Sequence, residues 1–421
     1  MRILHTSDWH LGRSFHRVGM LDAQAAYVDH LLAVVEEEQV DLVVVSGDIY
    51  DRALPPVDAV ELADDTFARL AASRAQVVVS SGNHDSPARL GFNSRLADAA
   101  GVHLRTRWQD VGAPVLLVDA HGPVAVYGIP YLEPDAVRTA WELPARSHEA
   151  ALTAAMSRVG ADLARRPGAR SVVLAHAFVA GSPDAAPRMA SDSERDISVG
   201  GLQIAPTSLF TGVDYTALGH LHGQQTLTDT VRYSGSPLAY SFSEAGHTKG
   251  SWLVDLGADG LSEATFVPAP VPRRLATLRG RLDDLLADPR HADVEDCWLQ
   301  VTLTDPRRPL HAMDRLYQRF PHTLMIAFEP EGAAASRGPV VPRVDGRSDL
   351  DVALGFVAEV RDLEATTEEE LLLQLACDAC RIDDDRDADF HVGQGAGQGA
   401  GQGAGQGAGR RAGHQSGQRA G

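Results

Sequence analysis

Cysteine, lysine, positive charge and long apolar runs are all scarce in this chain of 421 residues. The three cysteines, Cys297, Cys377 and Cys380, are too few for a disulfide framework. Cys377 and Cys380 have CxxC spacing but no second pair, so they read as small buried apolar side chains rather than a zinc site. Lys249 is the only lysine among 38 basic residues. Arginine suits bidentate phosphate contacts, but a compositional bias accounts for this usage equally well. Against 57 acidic residues the net charge is −19, the wrong sign for a free-standing nucleic-acid binder, whose affinity comes largely from Lys and Arg. DNA is then a substrate only if metals and a partner supply the positive field. No apolar run approaches the roughly 18 residues of a membrane helix. The N-terminus enters a strand directly, without a basic leader or cleavage site, which predicts a cytoplasmic protein.

The length calls for two or three domains with a real core, and the 44% hydrophobic and 23% charged content is that of a globular protein. Residues 1 to about 130 alternate β-branched runs with helical periods over 21–38 and 55–72, an α/β pattern. A hairpin is expected around His121-Gly122 and a helix over 148–163, with closing strands near 231–237 and 251–256. Residues 267–272 alternate valine, proline and alanine as a stiff connector. A small α/β module of about 65 residues follows, then an Ala-, Gly-, Pro- and Arg-rich linker over 332–348. Two helices are predicted over 349–362 and 367–381, with Thr367 and Glu370 as a capping box. Their apolar stripes, through Val352, Phe356 and Val360 and through Leu371, Leu372, Leu375 and Ala376, are too small a core to fold alone. They are expected to dock on something. Four Gly-Gln-Gly-Ala repeats over 393–408 offer no apolar surface to offset their ordering entropy, so residues 389–421 read as a disordered tail.

Five of the apolar runs end in polar motifs: Asp8 and His10, Asp48, Asn83, His176, and His220 with His222. Strand C-termini are where α/β sheets place their sites. Neutral imidazoles, two carboxylates and an amide carbonyl are the ligands that a pair of adjacent divalent cations needs. In an Asp-x-His or His-x-His pair, alternate residues of an extended chain face the same side. Asp48 is the natural bridge, with two oxygens able to hold cations roughly 3.5–4 Å apart. Any one such motif is ordinary, but the ordered conjunction points to a two-metal hydrolase.

These motifs, Asp8-Trp9-His10, Gly47-Asp48-Ile49-Tyr50-Asp51, Gly82-Asn83-His84-Asp85, Ala175-His176 and Gly219-His220-Leu221-His222, resemble the calcineurin-like metallophosphoesterase superfamily. Thr6 to Arg13, Asp214 to His222, Ser193-Glu194-Arg195 with Val199-Gly200-Gly201, and Tyr233 to Pro237 narrow the resemblance to the SbcD nuclease family, over roughly residues 1–330. The resemblance implies an α/β fold: a β-sandwich flanked by helices over 1–270, a small α/β capping domain over 271–332 that shapes a DNA groove, and a helical hairpin over 349–381. It implies two divalent cations, Mn²⁺ by preference. One would take Asp8, His10, Asp48 and His222, the other Asp48, Asn83, His176 and His220. His84 would be catalytic, outside the ligand set, donating to the scissile phosphate or its leaving oxygen.

The same resemblance implies a DNA exonuclease and single-strand or hairpin endonuclease. It would serve DNA repair, recombination and replication as a homodimer within a heterotetramer, its hairpin docked on an SbcC-like coiled-coil ATPase. The Gly-rich tail departs from the family pattern. For His84 a structural bond to Asp85 stays open. Arg13, Arg17, Arg52 and Arg89, next to the motifs, could hold DNA phosphates or form exposed salt bridges. A small-molecule phosphatase or cyclic-nucleotide phosphodiesterase on the same core is the main alternative, though it needs neither module nor hairpin. A non-catalytic scaffold is the other, and the intact ligand set speaks against it.

Overall fold

All five residues of the strand Leu42–Ser46 are buried, because both faces of its sheet are covered. Leu42 and Val44 point into one core, with Ile3, Val78, Val172, Leu174 and Tyr215. Val43 and Val45 point into another, with Leu4, Val77, Tyr27, Leu31 and Ala63. Alternation along a strand normally separates core from solvent; here it separates two cores, so the run reads as continuously apolar.

The computed structural model describes residues 1–181, 191, 192, 194, 204–331, 348–361 and 364–392. The linker over 332–347, Ser193, Arg195, Val199-Gly200-Gly201 and the repeats beyond 392 lie outside them. The chain divides into two compact units, Met1–Ala333 and Ala334–Gly421.

The first unit is built on two six-stranded sheets. One runs Gly260–Pro268, Gly250–Gly257, Arg2–Thr6, Leu42–Ser46, Gln76–Ser80, Val102–Arg105. The other runs Gln225–Thr226, Val231–Tyr233, Tyr215–Gly219, Arg170–His176, Gly122–Ile129, Val115–Asp119. The four strands of the first from Arg2 to Arg105 are parallel, as are Val231–Tyr233, Tyr215–Gly219, Arg170–His176 and Gly122–Ile129 in the second. The hairpin at His121-Gly122 forms as expected, with Asp119 opposite Gly122.

The sheets pack face to face through the apolar cluster around Ile3, Val44, Leu174 and Tyr215. Helices Leu21–Glu37 and Val57–Ala72 cover the first sheet, and His148–Leu163 covers the second through Ala151, Leu152, Ala155 and Val159. The result is a β-sandwich flanked by helices. Across it, His5 of the first sheet bonds Tyr215 Oη at 2.9 Å and the Leu218 carbonyl at 3.1 Å.

Residues 271–331 form a three-stranded parallel sheet, Leu275–Gly280, Trp298–Leu303 and Thr323–Phe328, around Leu299, Val301, Leu316 and Phe320. This module joins the sandwich through an aromatic seam in which Phe15 lies 5.4 Å from Trp298, beside Phe242 and Tyr240.

The second unit holds helices Asp349–Arg361 and Thr367–Val392. Its capping box sits one residue earlier than expected: Thr366 N–H donates to Glu369 at 3.0 Å and Glu369 N–H to Thr366 Oγ1 at 3.3 Å. The second helix also runs past the expected end at 381 to Val392, since no glycine or proline interrupts residues 367–392. Phe356, Leu371, Leu372 and Leu375 are exposed. Among the described residues no helix is long and apolar enough to cross a membrane.

Candidate metal centre

His176 ends the strand Arg170–His176, and His220 directly follows Tyr215–Gly219. Asp8, Asp48 and Asn83 stand two or three residues beyond Arg2–Thr6, Leu42–Ser46 and Gln76–Ser80. The parallel strands of both sheets thus deliver all seven expected residues to one edge of the sandwich. Several are conformationally strained there: Asp8, His10, Asp48 and His220 have φ of 55°, 48°, 52° and 108°. Non-glycine residues avoid this region at a cost of about 1–3 kcal/mol each, and such outliers concentrate at functional sites. Gly47, at φ 87°, and Gly82 allow the loops to close in, since a Cβ at Gly47 would collide with His176 Nδ1 and one at Gly82 with Asp48 Oδ1.

The side chains converge in overlapping groups, Asp8-His10-His222, His10-Asp48-His84 and Asp8-Asp48-His176, each able to hold a metal ion. Asp48 lies in the middle. Its Oδ2 is 3.7 Å from His10 Nε2 and 3.4 Å from His176 Nε2. Its Oδ1 accepts the His84 N–H at 2.9 Å, so one carboxylate oxygen, not both, faces the two sides. Asn83 Oδ1 stands 3.0 Å from His176 Nε2 and 3.1 Å from His220 Nδ1.

The tautomers show that cations fit. His176 Nδ1 must donate to the Ser46 carbonyl, 2.8 Å away, so in a neutral ring Nε2 turns a lone pair toward the Asn83 and Asp48 oxygens. His222 Nδ1 faces Glu244 at 3.3 Å, while its Nε2 faces His10 Nε2 at 3.1 Å. His10 Nδ1 is buried without a hydrogen-bond partner. Lone pairs brought together in this way are what a positive charge relieves. Burial opposes charge on these rings, yet Asp48 raises His176 to about 9 and Glu244 raises His222 above its usual value, so the acidic groups draw positive charge into the centre. Burial, only partly offset by His176 and His222, pushes the Asp8 carboxyl up to about 6. Burial also opposes ionisation of Asp48, yet His176, His10 and His84 together hold it well below the usual carboxylate range. Burial, with His176 beside it, pulls His220 down to about 3.

The surrounding shell has little trace in the sequence. Ser7 Oγ bonds Asp8 and, at 2.7 Å, Ser234; the His220 N–H donates to Asp8 Oδ1 at 3.0 Å. Gln24 donates to the His10 carbonyl at 2.8 Å, and Tyr240 Oη to the Trp9 carbonyl at 2.6 Å. Behind His222 lies a buried network. Glu244 accepts from Lys249 at 2.6 Å, Lys249 also donates to the His222 carbonyl at 2.8 Å, and Glu194 accepts the His222 N–H. A lone lysine in an arginine-rich chain, together with the Ser193-Glu194-Arg195 motif, is the sequence signal of this network.

Asp85 accepts backbone N–H groups of Gly82, Tyr50 and Ile49 at 2.9, 3.0 and 3.1 Å, locking two motif loops together. Its bonding is therefore taken up by backbone, and His84 Nδ1 instead donates to the Asp51 carbonyl at 2.7 Å. His84 is half-buried, its ring 4.7 Å from that of His10. Among the arginines, Arg13 and Arg52 both point at Asp51, 3.6 Å away in each case, and Arg13 also lies over Tyr240. Arg89 donates to the Ala53 carbonyl at 3.1 Å, and Arg17 is exposed.

Residues 271–361 match the family described as Type 5 capsule protein repressor C-terminal domain, SbcD_C. Among solved structures, the chain is similar to a Thermus thermophilus protein at 13% identity, over 63% of this chain and 98% of that one, with a TM-score of 0.37. It is similar to a dimetal phosphatase from Danio rerio at 13% identity, over 64% and 99%, with a TM-score of 0.38. Residues 1–224, more than half of the chain and the span holding every candidate ligand, match the calcineurin-like phosphoesterase family, and to that family of metal-dependent phosphoesterases the chain belongs.

Proposed function

We propose that this chain is the nuclease subunit of a two-component DNA-processing machine. It would be a Mn²⁺-dependent double-strand exonuclease and single-strand or hairpin endonuclease, working in the cytoplasm with an SbcC-like coiled-coil ATPase. The observation that carries this reading is the pairing, in one chain, of a seven-residue centre around Asp48 with a C-terminal segment matching SbcD_C. Homodimerisation within a heterotetramer belongs to the same reading.

Asp8, His10, Asp48 and His222 would hold one cation, and Asp48, Asn83, His176 and His220 the other. A cation pair there would supply the positive charge that neutralises phosphodiester oxygens and makes water more acidic near neutral pH. The chain's own groups do the rest. Ser7 and the His220 N–H fix the Asp8 carboxylate, and Glu244 fixes the tautomer of His222. With Nδ1 tied to Asp51, His84 exchanges its proton at Nε2, where it would protonate the leaving 3′-oxygen. Arg13, Arg17, Arg52 and Arg89 border the motif loops as candidate phosphate contacts. Residues 271–332 would shape the DNA groove, and residues 349–381 would dock the ATPase through their exposed leucines.

The test is to incubate the purified protein and Mn²⁺ with linear duplex, hairpin and single-stranded DNA, and separately with cyclic nucleotides and phosphomonoesters. Each is assayed with and without the ATPase. DNA cleavage is expected. Turnover of the small esters beside intact DNA in both settings would replace this reading with that of a small-molecule phosphatase.

A further inference from the structure

Beside Asn83 the molecule opens a cleft of about 660 Å³, within the range of about 300–1,000 Å³ that small ligands occupy. Gly82 and Asn83 form one wall, so the cleft borders the centre around Asp48 at Asn83. Tyr131 and Trp108 give it two half-buried aromatic side chains. Both are held in place. The Tyr131 N–H donates to the Ser81 carbonyl at 2.8 Å, and its ring stands 6.3 Å from that of His176. Trp108 meets Trp141 edge-on at 5.7 Å, and Trp141 is itself covered by the Arg158 guanidinium at 4.2 Å.

Charge decides what such a cleft can take. Arg107 is the only cation among the described residues that line it, and it faces Asp110 at 4.0 Å. Glu133 and Asp85 line the cleft as well. A phosphate would meet no positive surplus there. A flat, uncharged ring with polar edges meets two aromatic side chains, apolar walls at Pro87 and Pro130, and Gln109. A duplex keeps its base faces stacked and its phosphates outside, so only an unpaired base can offer a face to Trp108.

Resting on the nuclease reading above, we propose that this cleft is a base-binding subsite: it receives one unpaired nucleobase adjoining the scissile phosphate and stacks it against Trp108 and Tyr131. The subsite sets the position of cleavage on single strands and hairpin loops by holding one base while the neighbouring phosphate lies on the metal centre.

The experiment walks a single abasic position along a single-stranded DNA of defined cleavage site, with the full-length protein and Mn²⁺. At one position next to the cleaved bond, base removal should raise KM about ten-fold, as expected for the loss of one aromatic stack. The series is repeated with Trp108→Ala and with Tyr131→Phe. Trp108→Ala should raise KM on the intact strand by a similar factor and lose the abasic penalty, because the same stack is not lost twice. Tyr131→Phe, which keeps the ring, should retain the penalty. If the wild-type protein cleaves the strand but no abasic position changes KM, the subsite is disproved on wild-type protein alone, whatever the variants do. Independent, multiplying penalties would also overturn it. If the wild-type protein cleaves no DNA while hydrolysing bis(p-nitrophenyl) phosphate, the nuclease reading itself fails and the subsite falls with it.

Discussion

Lys249 Nζ lies 2.6 Å from Glu244 Oε2, and the other oxygen of that carboxylate lies 3.3 Å from Nδ1 of His222. The only lysine of the chain thus holds a buried carboxylate that in turn holds a candidate metal ligand. Burial opposes the charge on Glu244, but Lys249 and His222 keep it well below the usual carboxylate range. Glu244→Gln should lower Mn²⁺ affinity by about 10–100-fold, the usual cost of losing such an outer partner of a ligating histidine. Titration of metal into apoprotein, read by calorimetry, checks this. Lys249→Met removes the buried cation that balances this carboxylate and should cost about 3–5 kcal/mol of stability. The double variant should recover part of that loss in urea unfolding.

Asp48 faces both halves of the centre, so Asp48→Ala should remove both cations and reduce phosphodiester hydrolysis to background. Metal content by mass spectrometry should fall from two ions to fewer than one per chain, while circular dichroism stays that of the wild type. Retention of two ions with normal cleavage would refute the shared position of Asp48.

His84 has its own expected signature. His84→Ala should keep both cations and lower kcat by about 10²–10⁴-fold, the range for a lost general acid. The loss should shrink on a substrate whose leaving group needs no protonation, such as a p-nitrophenyl ester. If metal content falls along with kcat, His84 is a ligand instead.

His5 gives the fold a pH dependence separate from catalysis. Its Nε2–H donates to the Leu218 carbonyl and its Nδ1 accepts from Tyr215, so the ring is buried neutral, and burial lowers its pKa from 6.5 to about 3. Between those values the unfolded chain binds the proton and the folded chain does not. The contribution of His5 is therefore intact above pH 6.5 and is lost at roughly 1.4 kcal/mol per pH unit as pH falls toward 3. His5→Gln, which can make both bonds without titrating, should flatten the acid limb of stability against pH. Guanidinium midpoints measured at half-unit steps will show it.

The exposed leucines of the second unit test the proposed partner. Leu372→Asp with Leu375→Asp places two charges in an apolar stripe and should abolish co-purification with the coiled-coil ATPase. Equal recovery of wild-type and variant complexes would move docking elsewhere. Cleavage of short single strands by the isolated chain should persist in the variant.

Local order sets much of what is readable from residues alone. Strand ends are written in β-branched runs closed by Gly-Asp or Gly-Asn-His, so the seven residues from Asp8 to His222 can be named in advance, as can the helix His148–Leu163 and the strand Thr323–Phe328. Short-range rules are weaker at boundaries. Thr366 and Thr367 are equivalent as caps on paper, and only the actual first turn selects Thr366 with Glu369.

What distant residues do to one another has no local trace. That Asp48 turns one oxygen inward depends on the His84 N–H taking the other. That Asp85 is consumed by the amides of Ile49, Tyr50 and Gly82 depends on two loops closing together. The left-handed backbone at Asp8, His10, Asp48 and His220 is endured because the packed sandwich overrules local preference. The sequence by itself determined which candidate ligands exist and that strands end at them, because those follow from neighbours along the chain. The tertiary structure alone decided their facing atoms, tautomers and supporting charges, because burial and hydrogen bonding act between elements that only folding brings together.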